Sequence, residues 1–249
     1  MRRARPRRAA PLTLAALAVA SSAGADDGEP SQEWNAADAA ESGNFLPYSE
    51  SPSTSATYVT TLGGYDTARR GARVAGQLQL RLHSRVYVLA GGEYEGPHDR
   101  TFEPAVAVQV IVLEEKDHGV DVAVFGGWEH SGFDTGADAL GRVAVAGHFH
   151  GAYLLGGAAF GFSSDSRSGE LVLGGIREVV PRLYVGVDSR GRKDLEHGNA
   201  WDVQAGPAAT YVAGMFAVSA TAAVSSLREP QVTSDKVGAL TMVGVGAVF

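Results

Sequence analysis

The fold of this chain is decided by a stretch that reads VAGQLQLRL from Val74 to Leu82. Valine, glycine and three leucines occupy every second position, and alanine, two glutamines and an arginine occupy the positions between them. Successive side chains of a β-strand point to opposite faces, so this period of two predicts a strand with one apolar and one polar face.

The same alternation recurs along the chain from about residue 54 to the end. Each run is close to the 9–11 residues that a tilted membrane-spanning strand needs. We therefore predict an all-β, antiparallel, up-and-down transmembrane barrel of about twelve strands, with ten or fourteen as alternative counts. The predicted spans are 54–64, 72–82, 85–94, 102–112, 120–129, 139–149, 152–162, 170–179, 183–191, 200–211, 215–225 and 237–249.

The predicted connections fall into two kinds that alternate along the chain. One set is longer and charged, and the other consists mostly of short turns such as His83-Ser84 and His150-Gly151. The stretch from Leu113 to Gly119 is the exception. Long loops on one side and tight turns on the other are typical of outer-membrane barrels, and an even strand count puts both termini on the periplasmic side.

The last run, Val237 to Phe249, ends on an aromatic residue. Thr241, Val243 and Val245 share a face with Phe249. This run resembles the terminal strand of bacterial outer-membrane β-barrel proteins as a class, without indicating a subfamily. The resemblance implies that Phe249 is the signal recognised by the barrel-assembly machinery.

The segment before the barrel divides into two parts. Residues 1–25 carry five arginines, then an apolar run, then Ala-Gly-Ala, which predicts a signal peptide cleaved after Ala25. Residues 26–53 contain acids but no lysine or arginine, which predicts a disordered periplasmic leader. Residues 54–249 form the predicted outer-membrane barrel.

Composition removes several classes of function. Loss of five arginines with the signal peptide leaves 16 basic and 28 acidic residues, a net charge of −12, which argues against nucleic acid as a partner. The chain has no cysteine, which excludes disulfides and thiolate chemistry. No motif points to a cofactor or a metal ion, so we predict neither.

Aromatic residues cluster near the predicted strand ends, as expected at the two water–lipid interfaces. Phe102, Trp128 and Phe160 lie at one set of ends, and Tyr153 and Tyr184 lie at the other. The middles of the predicted strands are mostly valine, leucine, alanine and glycine. We expect a lipid-facing outer surface and a lumen that contains few bulky side chains.

Polar residues on the opposite face are predicted to line the lumen. The favoured function is a narrow passive channel for small polar solutes, so the chain is expected not to be an enzyme. Alternatives are a plugged barrel that interacts through its loops or leader, and a lipid or peptide hydrolase with His130 and Ser131 at its site. Expected partners are outer-membrane lipid, including lipopolysaccharide phosphates bound by loop arginines. The predicted lumen-lining residues are Arg73, Gln77, Gln79, Arg81, Glu103, Gln109, Asp121, Arg142, Asp188, Asp202 and Gln204.

Overall fold

A computed structural model describes most of the predicted barrel. The described residues are 57–68, 70–96, 101–130, 137–162, 167–196, 201–227 and 236–248. The predicted signal peptide, the leader and Phe249 lie outside these ranges.

The described chain is almost entirely β-strand, and the predicted number of twelve strands is confirmed. A single short helix, α1, lies in the unusual connection between the fourth and fifth strands. The elements are β1 Tyr58–Asp66, β2 Gly71–His83, β3 Val86–Gly96, β4 Thr101–Leu113, α1 Glu115–His118, β5 Asp121–His130, β6 Ala137–Phe149, β7 Ala152–Phe162, β8 Arg167–Val180, β9 Leu183–Asp194, β10 Asp202–Ala213, β11 Phe216–Leu227 and β12 Lys236–Val248.

The sheet closes on itself. Each strand pairs antiparallel with its neighbours in sequence, and β1 pairs with β12 from Tyr58–Val248 to Asp66–Leu240. Closure gives every strand two hydrogen-bonded neighbours. Hydrocarbon cannot satisfy free backbone groups, so this is the arrangement that a strand-only chain needs in a membrane.

Burial alternates along the strands and separates an outward face from an inward face. Val106 and Val108 on β4 are 46% and 45% exposed, whereas Gln109 on the same strand is 0% exposed. In a closed barrel the buried set faces the interior. The apolar side chains therefore cover the outside, which excludes a soluble barrel or sandwich with an apolar interior and a polar surface.

The two ends of the barrel differ. The near end carries the start of β1, the end of β12, four two-residue turns and the connection that contains α1. The far end carries six connections of four to eight residues. Parts of two are described: 67–68 and 70 in the first, and 195–196 and 201 in the fifth. His150 and Gly151 in one near-end turn both have positive φ, 49° and 75°, as two-residue hairpins of the right-handed sheet require.

Two inward-facing glycines mark places where neighbouring strands come unusually close. A Cβ at Gly64 would overlap the carbonyl oxygen of Thr241 and lie 2.9 Å from the Cα of Met242. A Cβ at Gly186 would lie 2.8 Å from the Cα of Ile176. Glycine kinks of this kind let a sheet curl sharply enough to close.

The aromatic residues confirm one expectation and correct another. Phe102, Trp128 and Phe160 are exposed on the outward face near the far end. Tyr153 and Tyr184, expected at the near-end lipid interface, are instead 5% and 7% exposed and face the interior. They occupy the same face of their strands as the buried polar residues, which is why they turn away from lipid.

The expectation of a lumen with little bulk is wrong. Three apolar clusters of buried residues lie on inward faces of the barrel wall, and they occupy different groups of strands. They narrow the interior from several sides. The larger members are Leu62, Leu240 and Met242 on β1 and β12, Tyr87, Leu89, Ile111 and Phe125 on β3–β5, and Tyr153, Ile176, Tyr184 and Val212 on β7–β10.

Candidate functional site: the barrel interior

The residues predicted to line the lumen occupy three kinds of environment. Arg81 continues the inward face of β2 and is exposed at the near rim, while Gln77 and Asp202 are half-buried. The side chain of Glu103 is not described. The buried members of the set are Arg73, Gln79, Gln109, Asp121, Arg142, Asp188 and Gln204.

A buried ion cluster crosses β6, β8 and β9. Nη2 of Arg142 lies 3.2 Å from Oε1 of Glu170, and Nη2 of Arg190 lies 2.8 Å from Oε2 of the same carboxylate. Arg190 also donates from Nε to that oxygen over 3.0 Å. One carboxylate therefore holds two guanidinium groups on the interior wall.

The neighbouring strand completes the surroundings of this cluster. The guanidinium carbon of Arg142 lies 6.0 Å from the centre of the Phe125 ring, over its face, and Arg142 pairs with Phe125 in the β5–β6 register. Ala159 separates Arg142 from Glu170 in the registers of β6, β7 and β8. Its small side chain leaves room for the arginine to reach across β7.

Uncharged polar groups line two other parts of the interior. Gln109 on β4 is 0% exposed, and neither its amide nitrogen nor its carbonyl oxygen has a hydrogen-bond partner among the described residues. The same holds for Oε1 of Gln204 and for the hydroxyls of Thr210 and Thr221 on β10 and β11. Buried polar groups without protein partners are normally satisfied by water.

At the far end, a side-chain hydrogen bond spans the closing strand. Ser225 on β11 donates its hydroxyl to Oδ2 of Asp66 on β1 over 2.9 Å, across β12, where the residue opposite Ser225 is Gly238. Oδ1 of Asp66 accepts from the backbone N–H of Ala68 over 2.8 Å. This pair of bonds holds the connection between β1 and β2 against the barrel rim.

At the near end, α1 ties together two neighbouring turns. Glu114, just before the helix, forms ion pairs with Arg85 and Lys116. Glu115 accepts from the backbone N–H of His148 over 2.6 Å, and its Oε2 lies 3.0 Å from Nδ1 of that histidine. The longest near-end connection is therefore fixed to the turns on both sides of it.

The hydrogen bond from Lys116 holds the pKa of the Glu114 carboxyl below its usual range, against a smaller opposing effect of desolvation, and Arg85 lowers this pKa further. The same hydrogen bond raises the pKa of Lys116. A depressed carboxyl pKa contributes stability above the unfolded value of about 4.3 and loses it as the pH falls through the folded value. The ion pairs of Glu114 therefore persist at neutral pH and fail in acid.

Removing the main partner tests this assignment. Lys116→Met is expected to raise the pKa of Glu114 toward its ordinary value, because the largest of the lowering contributions is lost. An NMR titration of the Glu114 side-chain carboxyl carbon measures this directly. A midpoint that does not move would show that Lys116 does not hold the carboxylate.

Several interior residues were absent from the set derived from sequence. Glu170, Arg190, Asp66 and Thr210 are all buried on inward faces. The alternation of faces along a strand could have identified two of them, because residues an even number of positions apart share a face. Arg190 is two residues from Asp188, and Thr210 is six residues from Gln204.

The two residues suggested for a hydrolase site cannot be placed relative to each other. His130 ends β5, but its side chain and the whole of Ser131 lie outside the described residues. The described part of the chain contains no group of three or more His, Asp or Glu side chains placed to hold a metal ion. No helix within it is both long and apolar enough to cross a bilayer.

Comparison with known proteins shows similarity in structure alone. No protein-family model matches the chain. No curated protein matches its sequence. The NanC porin superposes with a TM-score of 0.63 at 8% identity, covering 76% of this chain and 98% of that chain. The KdgM porin superposes with a TM-score of 0.55 at 7% identity over 77% of this chain and 99% of that chain.

These matches and the geometry define a class of protein. A closed barrel of twelve antiparallel strands with an apolar exterior is the architecture of bacterial outer-membrane β-barrels, and the two structures named above are porins. At such low identity the similarity establishes the fold and not the solute.

Proposed function

We propose that the protein is a narrow, passive channel for small polar solutes in the outer membrane, with its near end in the periplasm. The observation that carries this proposal is a set of buried polar groups that have no hydrogen-bond partner among the described residues, on Gln109, Gln204, Thr210 and Thr221. Leaving such groups dry costs about 1–3 kcal/mol each, so the interior is expected to hold water. A hydrated path that is narrowed by apolar clusters passes small solutes and excludes large ones.

The charges of the interior fit a passive role. The Glu170 carboxylate is shared by Arg142 and Arg190, so these three buried charges are paired with one another within the barrel wall. The uncharged amides and hydroxyls lie on other strands. Gln109 and Thr210 are 0% exposed, so water and solute reach them only when the side chains packed around them move apart. Selectivity would then come from lumen width and from polarity, with no covalent step.

The primary test is conductance and uptake by the purified full chain. In planar bilayers the barrel is expected to give a small, steady conductance. In liposomes it is expected to admit small polar solutes and to exclude larger ones of the same chemistry. A barrel that is folded in the bilayer and yet supports neither current nor uptake would refute the channel.

A pair of threonines provides a sharper prediction. The double variant Thr210→Val, Thr221→Val keeps the side-chain shape and removes two inward hydroxyls, so the local path should dewet and uptake should fall several-fold. Thr241→Val is the matched control, because Thr241 is exposed on the outward face of β12. Equal uptake by the double variant and the control would show that these hydroxyls do not line the path.

A second candidate is a barrel with a filled interior that acts through its loops or its leader. The three inward apolar clusters favour it, because fully buried side chains such as Tyr87 and Leu240 occupy lumen space. The conductance measurement separates the two candidates. A folded barrel that passes neither ions nor small solutes is the expected result for this alternative.

A further inference from the structure

The outward surface of β7–β10 near the far end combines aromatic residues with two cations. We call this surface the rim patch. Its strand residues lie on the same side of the sheet as the apolar side chains that cover the barrel exterior. The rim patch consists of Phe160, Phe162, Arg167, Lys193, Leu195 and Trp201.

The strand register places these residues side by side. Phe160 pairs with Gly169, and Gly169 pairs with Lys193 on the next strand. Phe162 pairs with Arg167, one step closer to the far end. The rings of Phe160 and Phe162 stack with their centres 6.5 Å apart and an angle of 21° between their planes.

Two glycines let large side chains lie flat on this surface. A Cβ at Gly169 would lie 3.7 Å from Cδ1 of Leu195, so the leucine covers the glycine on the outward side. A Cβ at Gly191 would lie 3.1 Å from Cε3 of Trp201, so the indole covers that position in the same way. The result is a smooth apolar platform between and beside the two cations.

The charge on the patch is positive. Nε of Arg167 lies 3.3 Å from Oε1 of Glu196, and the arginine side chain is 66% exposed. An exposed pair of this kind is weak, and the guanidinium keeps further donors for another anion. Lys193 adds a second positive charge. Glu196, which pairs with Arg167, lies beside the patch, and Asp194 lies on the inward face of β9. Among the described strand residues, no other outward-facing position in the far half of the barrel is a lysine or an arginine.

We propose that the rim patch binds the phosphorylated headgroup of an outer-leaflet lipid of the lipid A type. Arg167 and Lys193 contact the phosphate groups, and Phe160, Leu195 and Trp201 contact the upper parts of the acyl chains. A cation on the lipid-facing surface is costly in hydrocarbon and favourable at the headgroup level, where phosphate is available. Aromatic rings favour the same depth, and arginine matches phosphate geometry with paired donors.

This inference rests on the membrane orientation in the proposed function, with the far end outward, and is independent of conduction. All six residues lie outside the lumen. Variants of the patch should therefore leave solute uptake unchanged, so a failure of lipid binding and a failure of the channel are separate results.

The test uses the purified full chain in detergent and native mass spectrometry. It compares bisphosphorylated lipid A with the same lipid after removal of its phosphates. The double variant Arg167→Gln, Lys193→Gln is expected to lower the apparent affinity for lipid A by about tenfold or more, since two charge-assisted contacts are lost. The control, Arg177→Gln with Arg182→Gln, removes two exposed arginines at the near end and is expected to leave the affinity unchanged.

The remaining outcomes are equally decisive. Equal binding of the phosphorylated and dephosphorylated lipids would overturn the proposal, as would a near-end control that loses as much affinity as the rim variant. Inorganic phosphate at millimolar concentration should compete poorly, because it lacks acyl chains. Full displacement by phosphate would show an anion site in place of a lipid site. Trp201→Ala should weaken binding of the lipid, and unchanged binding would remove the platform from the proposal.

Discussion

Gly64→Ala is expected to prevent closure of the barrel between its first and last strands. The added methyl group would overlap the Thr241 carbonyl oxygen, a backbone atom that can move only if β12 moves. β1 and β12 pair at this point, with Gly64 opposite Met242, so the strain falls on the seam that completes the sheet. We expect most of the variant to fail to form the compact barrel.

The adjacent glycine provides the control. Gly63 lies on the outward face, and a Cβ there meets nothing within 4 Å. Gly63→Ala should therefore fold like the parent chain. Heat-dependent mobility on SDS gels and far-ultraviolet circular dichroism, after refolding into detergent, measure the folded fraction. Equal folded fractions of Gly63→Ala and Gly64→Ala would show that the close approach at Gly64 is not required.

Glu170→Ala is expected to destabilise the barrel by about 3–5 kcal/mol, the usual cost of breaking a buried ion pair by removing one partner. The reason is that Arg142 and Arg190 keep their charges and lose the carboxylate they share; these arginine side chains are only 4% and 7% exposed. Denaturant unfolding in detergent micelles measures the difference. The variant Glu170→Gln, which keeps the shape and loses the charge, should be nearly as unstable.

A glutamate on the same strand gives the comparison. Glu178 is exposed near the end of β8, where its Oε1 accepts the backbone N–H of Arg182. Glu178→Ala should cost no more than about 1 kcal/mol, as is usual for exposed groups. A loss of stability at Glu170 no greater than that at Glu178 would contradict a structural role for the buried cluster.

The strand architecture was predictable because alternation is a direct consequence of strand geometry. The predicted span 152–162 coincides with β7, and the other spans agree with the observed strands to within a few residues at each end. Lipid imposes this pattern, because outward side chains within the hydrocarbon layer are predominantly apolar. The sequence also indicated that the connection after Leu113 is longer than the other near-end turns, although it did not predict the helix α1.

The contents of the interior were less predictable, for a physical reason. The alternation along a strand shows which residues share a face. The interior, however, is filled by contacts between side chains on strands that are far apart in sequence. Tyr184 could have been placed, since it shares the face of Asp188. Tyr153 was harder, because paired glycines at 156 and 157 obscure the alternation in β7. The sharing of Glu170 by two arginines depends on the inter-strand register, which alternation does not reveal.

The pairing of β1 with β12 has a consequence for how the protein is made. These strands lie at opposite ends of the barrel sequence, so the sheet keeps two unpaired edges until synthesis has reached the end of β12 at Val248. Any product that stops earlier exposes unpaired backbone on β1 and on its last strand, which invites association with other chains. A truncated chain therefore keeps exposed strand edges, whereas the closed barrel of the described residues has none.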